Sequence, residues 1–134
     1  MTKLGGGLLR RAMPGAPPPA IAVELQRTQV APGETLGGHV KVSESGRARR
    51  LTVALCCRDR TADYVGTSQQ VGLQTLASGA LTAPAELPFT IAVPPEAPPS
   101  YSAGAISIWW EVEARCDVFG SDVKARAQVE VTAR

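Results

Sequence analysis

The chain has 134 residues and a mass of 14.0 kDa, which is enough for a single hydrophobic core. With 44% hydrophobic residues, 19% charged residues and a net charge of +2, it is neither a disordered chain nor one that strongly attracts nucleic acid. No apolar run approaches the about 20 residues of a membrane-spanning helix, so we expect no integral membrane segment.

Residues 1–19 differ in composition from the rest of the chain. A short Gly/Leu/Arg piece is followed by a proline-rich segment that ends in Pro17, Pro18 and Pro19, which keep the backbone extended. We predict an N-terminal arm over 1–19 and a single domain over 20–134. The arm is interpreted as a mobile terminus, with a small amphipathic docking element as the alternative.

Three cysteines and the character of the N-terminus bear on the cellular compartment. Arg10 and Arg11 interrupt any apolar signal-peptide core, and three is an odd number of cysteines for a secreted disulfide framework. A cytoplasmic location with reduced thiols is therefore predicted.

From residue 20 onward, apolar residues recur with a period of two, which is typical of half-buried strands. The first strand includes Ile21, Val23 and Leu25, and Pro32-Gly33 predicts a type II turn before the second strand. A second turn at 43–46 predicts a hairpin into the strand around 51–57. Further strands follow near Val71 and Leu73, where the ends are uncertain, and over 87–93.

The last forty residues predict a long antiparallel hairpin. Inward positions over 106–116 include Trp110 and Cys116, and the pattern repeats over 123–131. Seven such strands predict an all-β, immunoglobulin-like sandwich of two antiparallel sheets. The signature of true immunoglobulin domains is missing, because Cys57, Trp110 and Cys116 come in the wrong order.

Three blocks of sequence carry a resemblance to a known family. They are 21–42 with its Pro-Gly-Glu turn, 87–101 with its Pro-Pro bend, and 106–131 with its closing hairpin. Together they resemble the arrestin-like domain family, especially its N-terminal sandwich and the bacterial sporulation-control proteins. The resemblance implies an adaptor or scaffold that binds proteins. Family members usually carry two such sandwiches, whereas this chain has the length for one.

Catalytic and metal-binding patterns are sparse. His39 is the only histidine and falls on an outward strand position, where a solvated side chain is expected more often than a base. Cys56 and Cys57 are adjacent and point to opposite faces, which does not suit a zinc or redox motif. Asp117 and Asp122 flank the last hairpin but fall short of a calcium ligand set. We therefore expect no enzyme activity, no cofactor and no metal.

Candidate contact residues come from the outward positions. Arg50, Arg58 and Arg60 share an outward face in a cluster without stacking aromatic residues, which favours an acidic protein surface or a solubility role over nucleic acid. The alternation that buries Trp110 turns Trp109 outward, beside Glu111 and Arg115. Trp109 is interpreted either as a partner contact or as a residue covered by the arm.

The predicted function is thus a non-enzymatic, cytoplasmic, arrestin-like adaptor or scaffold that binds a protein partner and no nucleic acid, with the resemblance implying a role in bacterial sporulation or regulatory control. Its loops and strand edges would present the binding surface. The alternative is a self-assembling structural subunit, a homo-oligomer or polymer built by pairing of exposed strand edges.

Overall fold

The computed structural model describes residues 17–133 and is built from strands. No helix in this range is long and apolar enough to cross a membrane. The strands are β1 (Ala20–Leu25), β2 (Gln29–Val30), β3 (Thr35–Glu44), β4 (Gly46–Arg60), β5 (Val65–Leu81), β6 (Ala85–Ala92), β7 (Tyr101–Ala103), β8 (Ile106–Asp117) and β9 (Val123–Val131).

Two sheets form the sandwich. The small sheet has the order β1-β3-β6, and the large sheet has the order β2-β9-β8-β4-β5, with β7 paired to the start of β8. All pairings are antiparallel except that of β2 with β9, which is parallel. The predicted two-sheet sandwich is confirmed, with β2 and β7 as two short strands that the periodicity did not reveal.

The two predicted turns of the first half have different outcomes. At Pro32-Gly33, the Glu34 amide donates to the Ala31 carbonyl at 3.1 Å and Gly33 has φ +88°, as a type II turn requires. The predicted hairpin at 43–46 is wrong, because β3 and β4 belong to different sheets and do not pair. There the chain crosses between the layers, and the hydroxyl of Ser45 accepts the Ala83 amide at 2.8 Å.

The core lies between the sheets and is formed by the inward positions of both. Leu51, Val53, Leu55 and Trp110 are each fully buried, which confirms the predicted register of β4 and β8. The indole N–H of Trp110 donates to the Pro98 carbonyl at 2.8 Å, so this buried polar group is satisfied. Because a one-residue slip would reverse every side chain, the alternation strongly specifies this register.

Strand β5 is the free edge of the large sheet and is irregular. Gly72 and Leu73 together oppose the single residue Ala54 of β4, and Gly72 has φ +68°, which is a glycine-type bulge. A Cβ at Gly72 would lie 2.6 Å from the Ile91 side chain, so both the backbone and the space require glycine here. The bulge leaves Leu73 63% exposed on the outer face.

Most of the predicted arm, residues 1–16, lies outside the described residues. Of the remainder, Pro17 and Pro18 are exposed and Pro19 is buried. The backbone at Pro17 and Pro19 passes directly over Gly46, where a Cβ would lie within 2.8 Å of it. Pro17 and Pro19 are therefore packed against the start of β4.

Candidate binding surface on the large sheet

The outer face of the large sheet contains two carboxylates that are almost fully buried. The side chains of Glu111 and Glu113 are only 11% and 7% exposed, although both occupy outward positions of β8. Glu111 lies opposite Cys56 and Glu113 lies opposite Ala54 in the β4–β8 register. Outward positions of an amphipathic strand are ordinarily solvated, but these two positions in the centre of the sheet are not.

Two arginines from the neighbouring strands neutralise these carboxylates. Arg58 Nε donates to Glu111 Oε2 at 2.9 Å, and Arg58 Nη2 donates to Glu113 Oε2 at 3.2 Å. Arg126 Nε lies 2.9 Å from Glu113 Oε2 and 3.2 Å from Glu111 Oε2. We call these four residues the ion-pair network.

The network keeps its members charged despite burial. For Glu113, burial acts to raise the pKa, but the hydrogen bond from Arg126 and the charges of Arg58, Arg126 and Arg115 outweigh it, so the pKa falls below its ordinary value of 4.5. For Arg58, burial acts to lower the pKa, and the hydrogen bond and charge of Glu111 reverse this and raise it. Arg58 is also hydrogen-bonded to Thr67 of β5. Arg58 therefore stabilises the buried carboxylates of this face and is not available to pair with a partner.

Trp109 and Arg60 lie next to the network, toward the start of β8. The indole N–H of Trp109 donates to Glu111 Oε1 at 3.1 Å, and the Arg60 guanidinium lies 5.8 Å from the Trp109 ring centre. Both distances fit an oriented hydrogen bond and a cation–π contact. Trp109 points outward as predicted but is half-buried, since these neighbours cover part of the ring.

Exposed apolar side chains gather at the same end of the sheet. Arg60 is in register with Ser107 of β8 and Val65 of β5, and β7 pairs with the first residues of β8. Four residues at this end are more than half exposed, namely Tyr64, Val65, Tyr101 and Ile106. We call these four residues, together with Trp109 and Arg60, the Trp109 end. Trp, Tyr and Arg are the residue types enriched where binding energy concentrates.

A groove occupies the opposite half of the outer face. It has a volume of about 330 Å³, with Ala54 and Glu113 among its lining residues. Gln70 and Leu73 of β5 line one side, and Arg115 and Asp122 line the other. Arg50, a predicted contact residue, lines it as well and is therefore separated from Arg58 and Arg60.

The remaining predicted candidates lie elsewhere. His39 is on the outer face of the small sheet, with Nε2 at 3.0 Å from Glu24 Oε1 and 3.7 Å from Glu86 Oε1. Asp122 Oδ2 lies 3.5 Å from Arg115 Nη1, and within 17–133 no group of three His, Cys, Asp or Glu side chains is placed to hold a metal ion. All three cysteines are free and buried, and burial raises the pKa of each thiol.

Part of this surface could be predicted from the positions of charged residues, which the alternation of apolar residues does not take into account. Arginines and glutamates alternate in outward positions of adjacent strands, which indicates cross-strand ion pairs once the strand order is known. Tyr64 lies in the β4–β5 loop and Tyr101 begins β7, so neither falls in a predicted strand. Only the pairing of β7 with β8 brings Tyr101 to the same end as Trp109.

The two-sheet architecture has the arrestin-like β-sandwich fold that the family resemblance implied. Among solved structures, the chain is similar to the crystal structure of Spo0M, a sporulation control protein from Bacillus subtilis. The TM-score is 0.65 and the identity 19%, over 89% of this chain and 51% of that chain. The present chain thus spans about half the length of Spo0M.

The other comparisons add no identification. No protein-family model matches the chain, and no curated protein matches its sequence. A β-glucosidase from Listeria innocua in complex with gluconolactone has a TM-score of 0.42 and 16% identity, over 86% of this chain and 16% of that chain. A likeness at this level carries no argument about fold or function.

Proposed function

We propose that the chain is a non-catalytic regulatory domain that binds a protein partner through the Trp109 end of its large sheet. The observation that carries this proposal is the oriented pair of Trp109 and Arg60, with the exposed Val65 beside Arg60 on the same face of the sheet. A half-buried tryptophan that is already hydrogen-bonded loses little side-chain entropy on binding. The exposed Val65 would help to exclude water from this contact, whereas Tyr101 and Ile106 lie at the same end but on the opposite face of the sheet.

The ion-pair network supports this role by fixing the position of Trp109. Glu111 accepts from Arg58 through Oε2 and from Trp109 through Oε1, so one buried carboxylate connects the network to the indole. Because Glu111 is held by two strands, the ring orientation is set before a partner arrives. Pre-organisation of this kind reduces the free-energy cost of association.

A regulatory, non-catalytic role agrees with the chemistry and with the fold. Burial raises the pKa of all three thiols, which is opposite to the shift that activates a nucleophilic cysteine. Spo0M, which shares the fold, carries the description of a sporulation control protein. A cytoplasmic location with reduced thiols is part of this proposal.

The alternative of a subunit that polymerises through strand edges has one feature in its favour. β5 is 17 residues long and contains no charged residue, and charges are a common protection of free edges. However, its register with β4 shifts at several points, and such bulges twist an edge away from a second strand. β6 carries Pro88, and the Gln74 side chain donates to its Thr90 carbonyl at 3.0 Å. These features favour the adaptor over the polymer.

The test compares Trp109→Ala and Arg60→Ala with Phe119→Ala, which removes a 91% exposed aromatic ring from the β8–β9 loop. Affinity capture from the native cell extract should recover the same partner with wild type and Phe119→Ala. Trp109→Ala should weaken binding by about 2 kcal/mol or more. Recovery of the same partners with equal affinity by Trp109→Ala would overturn the proposal.

Light scattering on the purified protein separates the adaptor from the self-assembling subunit. A monomer supports the adaptor. A concentration-dependent oligomer that Trp109→Ala leaves intact and a β5 substitution such as Gln69→Pro abolishes would support the subunit.

A further inference from the structure

The end of the large sheet that lies opposite the Trp109 end carries an excess of positive charge. Arg47, Arg49 and Arg50 at the start of β4 are exposed, and so is Lys124 at the start of β9. Within residues 17–133, none of these four side chains takes part in an ion pair. Acidic side chains outnumber basic ones in the same range, so this end is a positive patch on a surface that is otherwise negative.

The acidic side chains at this end do not cancel the positive charge. Asp117 lies directly across from Arg50 in the β4–β8 register, and Asp122 Oδ2 lies 3.5 Å from Arg115 Nη1. Each aspartate is therefore balanced by a neighbouring arginine. Glu44, the last residue of β3, is the third acidic side chain close to this end. The basic side chains here still exceed the acidic ones, and those other than Arg50 and Arg115 have no carboxylate beside them.

The β8–β9 loop places an exposed aromatic ring at the same end. Arg50 and Asp117 form the last pair between β4 and β8, so residues 46–49 and the loop over 118–122 both extend past this pair in the same direction. Phe119 of this loop is 91% exposed, and it is followed by Gly120, whose φ of +101° allows a sharp turn. A large apolar side chain is thus presented to the surroundings next to unpaired cations.

The surroundings of Phe119 differ from those of Trp109. Trp109 is half-buried and hydrogen-bonded to Glu111, as suits a contact that packs into a protein surface. At 91% exposure, Phe119 has almost no contact with its own protein and no fixed ring orientation. A lipid bilayer requires neither, because aromatic side chains enter its fluid headgroup region while Lys and Arg attract the anionic lipids. Nucleic-acid recognition would need further aromatic rings among the cations for base stacking.

The N-terminal segment is joined to the same end of the molecule. Pro17 is packed against Gly46, the first residue of β4. Residues 1–16 contain basic and apolar side chains but no acidic one. Further positive charge is therefore attached to this end. Stable attachment to a membrane surface ordinarily takes two weak elements acting together, which here are the segment and the sheet end.

We propose that this end of the large sheet binds to the surface of membranes that contain anionic lipids. Phe119 enters the headgroup region, and Arg47, Arg49 and Lys124 lie against the lipid charges. The Trp109 end is at the opposite end of β4 and β8 and stays in solution, so membrane binding does not depend on the proposed protein partner.

The experiment is cosedimentation of the full-length protein with lipid vesicles. Vesicles of phosphatidylcholine with about 30% phosphatidylserine should bind the protein in about 0.1 M NaCl, and vesicles of phosphatidylcholine alone should bind it far more weakly. In about 0.5 M NaCl most of the binding should be lost, because salt screens exposed charges.

Variants then assign the contacts. Arg47→Gln and Arg49→Gln should each weaken binding about fivefold, which is the value of one cation near an anionic surface, and Phe119→Ala should weaken it by a similar factor or more. Two matched controls should bind like wild type. Arg27→Gln removes the same charge from an exposed residue beyond the other end of β1, and Leu73→Ala removes a 63% exposed apolar side chain from β5.

Tryptophan fluorescence reports directly on insertion of the loop. With anionic vesicles, Phe119→Trp should show a blue shift that wild type lacks, because Trp110 is buried and Trp109 lies at the opposite end. The proposal is overturned if the anionic vesicles do not bind the protein, or if the Arg47, Arg49 and Phe119 variants bind them like wild type. It is equally overturned if a DNA duplex binds more tightly than the vesicles and depends on the same arginines, which would assign this patch to nucleic acid.

Discussion

The outer faces of the two sheets carry similar residues in very different environments. On the small sheet, Glu24 contacts Lys41 and His39, and these side chains are 48%, 46% and 30% exposed. On the large sheet, Glu113 contacts arginines in the same cross-strand manner but is 7% exposed. Acidic and basic residues at outward strand positions can therefore form either a solvated surface or a buried network.

The difference follows from the width of each sheet. The small sheet has three strands, so its central strand β3 has only one edge strand on either side. In the large sheet, β8 and β4 have further strands on both sides, and the long side chains of Arg58 and Arg126 lie over the carboxylates. Long arginine side chains can cover neighbouring surface while their head groups stay hydrogen-bonded.

The largest effect is expected in the core that supports both faces. Trp110→Ala should destabilise the protein by about 3–5 kcal/mol, because it removes a fully buried indole and leaves a cavity. Urea unfolding followed by circular dichroism measures this. A variant that unfolds at the same urea concentration as wild type would contradict the assigned register of β8.

Matched substitutions on the two faces test the comparison directly. Glu113→Ala should cost about 2–3 kcal/mol, because Arg58 loses one carboxylate partner in a largely buried setting. Glu24→Ala should leave the unfolding midpoint close to that of wild type, since exposed ion pairs contribute little. Equal losses from the two substitutions would show that burial does not distinguish the faces.

The pH dependence of stability should contain a contribution from the carboxylates of both faces. The pKa of Glu113 is below its ordinary 4.5, so its contribution is present above that pH and is lost as the pH falls through 4.5 and then through the folded-state value. The pKa of Glu24 is lowered in the same direction, chiefly by the hydrogen bond and charge of Lys41.

Salt provides the control for this pH prediction. In about 0.5 M NaCl the exposed pair of Glu24 should be screened, whereas most of the Glu113 contribution should persist. Unfolding free energies at about pH 7 and about pH 4 should therefore differ in high salt for wild type and less so for Glu113→Gln. An identical pH dependence of the two proteins would contradict the shifted pKa of Glu113.

The smallest expected effect concerns the reactivity of the three cysteine thiols, which reports on the burial of single residues. All three should be recovered as free thiols after rapid alkylation of cells, and all should react slowly in the native protein because they are buried. Cys57 pairs with Trp110 and Cys116 lies six residues further along β8, about 20 Å away, which excludes a disulfide between them. Mass spectrometry that finds a Cys57–Cys116 disulfide would contradict the fold.

Cys56 distinguishes the two faces of the large sheet in the same experiment. It is buried under the outer face, near Gln70, whereas Cys57 and Cys116 belong to the core between the sheets. Local opening of β5 should therefore expose Cys56 before the other two. Simultaneous labelling of all three would indicate that the outer face and the core open together.

Strand alternation predicted much of the fold because it reports local geometry. The inward positions of β3, β4, β8 and β9, the Pro32-Gly33 turn and the closing hairpin were all predictable in this way. The crossing at 43–46 was not, because a Ser/Gly turn can join two strands of one sheet or pass between two sheets. The full length of β5 was missed because Gly72 and the polar residues break its alternation.

The sequence predicted individual residues of the candidate site but not the contacts between them. Trp109 and Arg60 follow from alternation, but their contact depends on β4 and β8 being neighbours over 50–60. Glu111 and Glu113 look like solvated residues in the sequence, and the side chains that bury them come from strands β4 and β9.

The sequence by itself determined that this chain is an all-β sandwich with Trp110 in its core. Apolar residues recur with a period of two, and only one strand register turns all of them toward the buried face. The tertiary structure decided which outward residues are buried, which exposed side chains meet at the Trp109 end, and where the groove lies. Those features depend on strand order and on a bulge that places Leu73. Both are set by contacts between residues far apart in the chain, which local periodicity does not encode.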